Sequence, residues 1–225
     1  MSPMRPAASG NRWFVPLAAL VLLAAGAPAA AQVVSEGKGV LTIELGQGAA
    51  PVGGIASEVA NPGVTATHDT LHATAFRFSA GYHFAEQLSV EVGVGHLGTM
   101  QTNAPYGAGD VMSVQTSLLV IEGDLVANIP VAPNARIDLT LGVAETGLNS
   151  TIFTQNGSAL PPGQGASDNV RRLGATGGLD VEWRLTSVTS ILIGYHAYTH
   201  VGSPVLRDSA AGTATALLAG VRFEF

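Results

Sequence analysis

From residue 39 onward, apolar and polar residues alternate with a period of two along most of the chain. That alternation puts successive side chains on opposite faces of an extended strand. Runs bounded by turn residues predict eight strands: Gly39–Gly48, His72–Phe84, Leu88–Met100, Val111–Asn128, Arg136–Gly147, Asn169–Leu185, Ser190–Val201 and Gly212–Phe225. Their faces separate well. In the second strand Phe76, Phe78, Tyr82 and Phe84 oppose Arg77, Ser79, Gly81 and His83. In the third, Leu88, Val90, Val92 and Val94 oppose Ser89, Glu91, Gly93 and Gly95. The sixth sets Leu173, Leu179, Val181 and Trp183 against Arg172, Thr176, Asp180, Glu182 and Arg184, and the last sets Leu217, Val221, Phe223 and Phe225 against Leu218, Gly220, Arg222 and Glu224. The fourth is ambiguous. Glu122 and Asp124 share a face with Val114 and Leu118, and a bulge is one way to resolve the conflict.

A soluble sandwich and a membrane barrel both alternate, so the connections decide between them. The odd ones are long: Ala49–Leu71, Gln101–Asp110, Leu148–Asp168 and Gly202–Ala211. The even ones are short: Ala85–Gln87, Ile129–Ala135 and Thr186–Thr189. Short periplasmic turns with long external loops are what a transmembrane barrel requires, and a sandwich gives no reason for that order. Most runs also reach the nine to eleven residues that a tilted membrane strand needs. The predicted fold is all-β: an eight-stranded antiparallel transmembrane β-barrel over residues 32–225, apolar outside and polar inside, with both termini in the periplasm. Tyr82, Phe84, Trp183, Phe223 and Phe225 fall on the outward parity near the periplasmic end, where an aromatic girdle is expected.

Residues 1–31 read as a cleavable signal peptide. Arg5 and Arg12 precede the apolar run Trp13–Leu23, and Ala29-Ala30-Ala31 gives an A-x-A cleavage site before Gln32. The apolar core is shorter than the ~20 residues of a membrane span, and Pro16 and Pro28 interrupt it. Composition points away from an ordinary cytosolic enzyme. Charged residues make up 12%, about half the roughly 25% of globular chains. A net charge of −6 excludes a nucleic-acid footprint, and the absence of cysteine excludes a disulfide framework or thiolate chemistry.

The ending Ala219-Gly220-Val221-Arg222-Phe223-Glu224-Phe225, with Val221, Phe223 and Phe225 at alternate positions, resembles an outer-membrane barrel assembly signal. Gly81-Tyr82-His83-Phe84, Leu88-Ser89-Val90-Glu91-Val92-Gly93 and Ile191-Leu192-Ile193-Gly194-Tyr195-His196 resemble strand patterns of small OmpA-type outer-membrane barrels. The resemblance spans the expected mature chain. It implies insertion by the barrel assembly machinery after escort by periplasmic chaperones, an outer-membrane location in a Gram-negative-type bacterium, and contact with outer-membrane lipids including lipopolysaccharide. The peptidoglycan-binding domain of longer relatives is expected to be absent.

The inward parity holds Glu44, Arg77, Glu91, Glu122, Asp124, Asp138, Arg172, Asp180, Glu182, Arg184, His196, Arg222 and Glu224. Buried charges must be paired, so a cross-strand ion-pair network is expected to fill the lumen. Residues flanking the turn at Ala85–Gln87 pair when their numbers sum to about 172, by the geometry of an antiparallel hairpin. That separates Arg77 from Glu91 and favours another inward carboxylate for Arg77, with Glu44 on the first strand a candidate. Arg77 is then the candidate plug of a narrow channel. The histidines offer little catalysis. His68 and His72 could reach a metal with Asp69, whereas His196 and His200 sit on one strand face roughly 13 Å apart and are poor co-ligands. No His-x-Ser pair of the kind lipid A deacylases use occurs; the nearest are His68-Asp69-Thr70 and His72-Ala73-Thr74. Val33–Lys38 is too short and polar for the amphipathic helix of an acyltransferase. The expected function is therefore non-enzymatic and cofactor-free: a monomeric barrel with a structural or surface-interaction role, presenting four external loops. A narrow channel is the alternative, and a lipid A-modifying enzyme ranks behind both.

Overall fold

The computed structural model describes residues 37–51, 70–106, 110–155, 158–159, 167–201 and 212–225. Nine strands form: β1 (Gly39–Ala50), β2 (Leu71–Ala85), β3 (Leu88–Tyr106), β4 (Asp110–Ala132), β5 (Ala135–Gln155), β6 (Ser158–Ala159), β7 (Ser167–Arg184), β8 (Thr189–Val201) and β9 (Gly212–Glu224). β6 is a two-residue appendage on the end of β5. The other eight are the staves of a closed antiparallel barrel, because β4 pairs with β5 and β1 with β9. Among the described residues no helix is long and apolar enough to cross a membrane. The proposed leader, residues 1–31, lies outside the described residues.

The alternation sorts as the sequence predicts. Phe76, Phe78, Val90, Val92, Val94, Leu119, Ile121, Leu125, Leu139, Leu141 and Val143 stand on the outer face, Val92 with 67% of its surface exposed. An apolar wall is stable facing lipid and not water, and the polar parity is correspondingly buried inside. The seam is closed by backbone: Gly39 N donates to Phe225 O at 2.8 Å and Phe225 N donates to Gly39 O at 3.0 Å.

Two expectations need correction. The stretches Gln101–Asp110 and Leu148–Asp168 are not simply loops. β3 and β4 stay paired out to Tyr106 and Asp110, and β5 runs to Gln155 before β7 starts at Ser167. With 23 residues β4 is about twice the length a membrane crossing requires. The middle of β4 also holds no bulge: inward parity is unbroken from Val114 through Asn128. The irregularity lies across from it in β3, where His96 pairs with Leu119 and Gly98 with Leu118, leaving Leu97 as the extra residue. Gly98 has φ +112°, which a side chain would strain. Leu97, Val114 and Leu118 can therefore all point inward.

Candidate functional site

The lumen is layered. Nearest the short turns, Arg136 Nη1 donates to Glu224 Oε1 at 2.7 Å and its Nη2 to Glu182 Oε2 at 2.8 Å. Its Nε lies 3.2 Å from Asp138 Oδ1. Arg222 binds Asp138, donates from Nη1 to Glu182 Oε2 at 3.1 Å and from Nη2 to Glu91 Oε1 at 3.1 Å, and its Nε donates to Thr42 Oγ1 at 3.0 Å. Arg184 Nη2 donates to Glu224 Oε2 at 3.1 Å. In this lower tier three arginines face four carboxylates: Glu91, Asp138, Glu182 and Glu224.

The middle tier is organised by Arg77. Its Nη1 donates to Glu44 Oε2 at 2.7 Å, its Nη2 to Asp124 Oδ2 at 3.4 Å, and its Nε binds Glu122. His196 Nε2 lies 3.1 Å from Asp180 Oδ1 and 3.8 Å from Glu44 Oε1. Above it comes an apolar plug of Leu97, Leu118, Leu148, Tyr198 and Leu218, none more than 2% exposed.

The tiers fit inside so narrow a barrel because large and small residues are paired across strands. Glu44 faces Gly220, Glu91 faces Gly81, Glu122 faces Gly93, Asp124 faces Gly142, Asp180 faces Gly194 and His196 faces Gly178. Each side chain lies over its partner glycine. A Cβ on Gly220 would come within 2.7 Å of Glu44 Cγ, one on Gly93 within 2.7 Å of Glu122 Oε1, and one on Gly178 within 2.6 Å of His196 Nδ1. Alternating large and small residues is how small barrels fill a tapering interior.

Of the inward residues expected from sequence, Arg172 stands apart. It is half-buried near the outer end of β7 and makes no ion pair among the described residues. The other twelve lie in the two tiers. As the hairpin arithmetic requires, Gly81 pairs with Glu91 and Arg77 with Gly95, so Arg77 takes Glu44 and not Glu91. Arg136 was missing from the expected set. Its signal was available: it shares the parity of Asp138 and follows the turn at Pro133-Asn134 directly. Tyr82, Phe84, Trp183, Phe223 and Phe225 all project outward near the end of the barrel that carries the short turns, with Phe225 75% exposed; Val221 shares that outward parity. His72 begins β2, while His68 and Asp69 lie outside the described residues.

Ail, the attachment invasion locus protein of Yersinia pestis, superimposes with a TM-score of 0.49 at 10% identity, covering 85% of this chain and 100% of that one. Neisserial surface protein A gives 0.44 at 13% identity over 84% and 97% of the two chains. The outer membrane protein OprG of Pseudomonas aeruginosa gives 0.46 at 11% identity over 86% and 99%. No curated protein matches the chain. The outer membrane protein beta-barrel domain family matches residues 17–225, nearly the whole sequence, and this chain belongs to that family.

Proposed function

We propose that the protein is a closed, non-enzymatic barrel of the outer membrane, working as a monomer whose role is to hold its external strand ends and loops at the cell surface. The observation that carries this reading is the double closure of the lumen, ion-paired below and apolar above. A channel needs a continuous polar path, and the plug of Leu97, Leu118, Leu148, Tyr198 and Leu218 interrupts it.

The outer wall supports the surface-directed half of the proposal. Apolar positions give way to polar ones as each long strand leaves the membrane belt: Val94 to Thr99, Gln101 and Asn103 on β3, Leu119 to Gln115 on β4, Val143 to Asn149 on β5, and Leu173 to Arg171 and Asn169 on β7. A polar collar built from paired strands holds whatever the connections present more rigidly than bare loops would. Lipids of the outer leaflet, including lipopolysaccharide, are the partners such a collar meets first, and the periplasmic chaperones and barrel assembly machinery are the proposed partners during biogenesis.

Planar-bilayer recording of the refolded barrel tests the reading. The expected result is no unitary conductance under conditions in which the same preparation is fully heat-modifiable on a gel. Reproducible steps would favour the channel alternative.

A further inference from the structure

We propose that Glu44, Asp180 and His196 form a binding site for one divalent transition-metal cation inside the barrel, with Glu44 Oε1, Asp180 Oδ1 and His196 Nε2 as protein ligands. The three residues come from β1, β7 and β8, are all buried, and each offers a ligand atom within 4.8 Å of those of the other two. His196 Nε2 is 3.1 Å from Asp180 Oδ1 and 3.8 Å from Glu44 Oε1. Ligands about 2.1 Å from a tetrahedral ion stand about 3.4 Å apart, so the observed separations bracket what such an ion needs.

Charge supplies the independent argument. The lower tier sets three arginines against four carboxylates and is close to balance. The middle tier sets Arg77 and His196 against Glu44, Glu122, Asp124 and Asp180. Among the described residues, the fully buried carboxylate oxygens without a hydrogen-bond partner are Glu44 Oε1, Glu122 Oε2 and Asp124 Oδ1, and every one belongs to this tier. Glu44 Oε1 is itself one of the three ligand atoms. Buried carboxylates left this short of positive charge are costly, and a dication among them removes most of the deficit.

The walls are shaped for the same three groups. Gly220, Gly194 and Gly178 stand opposite Glu44, Asp180 and His196 on neighbouring strands. A Cβ at Gly194 would fall 1.6 Å from Asp180 Oδ1 and 3.1 Å from His196 Nε2, so only glycine leaves these two ligand atoms their room. One imidazole nitrogen with two carboxylate oxygens suits zinc-like ions; calcium and magnesium take oxygen donors alone.

The test uses the tag-free chain refolded into detergent with Co²⁺ as the probe, passed through a desalting column, and scored for folded fraction by heat-modifiability. The expected result is about one Co²⁺ per folded barrel, with a visible absorption band of low-coordinate cobalt. His196→Gln and Glu44→Gln should each lower retention at least ~10-fold, whereas His72→Gln and His200→Gln should leave it unchanged. Wild type retaining less than about a tenth of an ion per folded barrel overturns the assignment without recourse to any variant. Retention unaltered in folded His196→Gln overturns it too. Neither result bears on conductance, so the closed-barrel reading stands or falls separately.

Discussion

At Arg77 a single buried guanidinium is shared by Glu44, Glu122 and Asp124. Removing it leaves three carboxylates inside the barrel that pair with no other arginine among the described residues. Breaking a buried pair from one side costs about 3–5 kcal/mol, because the surviving charge is left unanswered. Arg77→Ala should therefore lower unfolding stability by that order in urea titrations of the refolded barrel. Arg172→Ala is the contrast. It shares the inward parity by sequence, yet makes no ion pair among the described residues; its loss should stay within about 0.5 kcal/mol. Periodicity placed both arginines inside, and nothing in it could rank them. The difference is height: Arg77 faces Gly95 amid the carboxylates, whereas Arg172 faces Thr146 near the outer end.

At the scale of the strand, the outer wall sets one test and the seam another. Val92 is 67% exposed on β3, between Val90 and Val94 on the lipid face. An arginine there should cost about 2–4 kcal/mol, as a cation near the bilayer midplane does. A neutral result in refolding titrations would mean that the wall of β3 is misread. At the seam, Gly220 of β9 packs against Glu44 of β1, and a Cβ would lie 2.1 Å from the Ile43 carbonyl oxygen. Backbone cannot swing aside as a side-chain tip can, so Gly220→Ala should destabilise by about 1–3 kcal/mol, read by an earlier loss of the compact gel band on heating. The strands themselves were legible because lipid outside and charge inside enforce period two. What escaped was where they stop. Beyond the membrane the outward positions of β3 turn polar at Thr99, Gln101 and Asn103, so the alternation of apolar with polar fades while the pairing continues. The bulge at Leu97 did leave a trace: Gly98 falls off the inward parity that Gly93 and Gly95 share.

At the scale of the whole molecule, closure of the lumen is redundant. Sequence alone brought forward Arg77 as a single plug whose loss would open a path. The fold stacks an apolar layer on two charged ones, and that arrangement could not be read from one strand at a time, since Leu97, Leu118, Leu148, Tyr198 and Leu218 sit on five different staves. Taking out Arg77 loosens only the middle tier. Arg136 and Arg222 still bridge Asp138 and Glu182 below it, and the apolar plug still excludes ions above. Arg77→Ala should therefore be less stable than wild type while remaining as silent in a planar bilayer. If that variant instead conducts while still migrating as a folded barrel, Arg77 is the sole barrier, and the apolar layer must part readily enough for ions to pass.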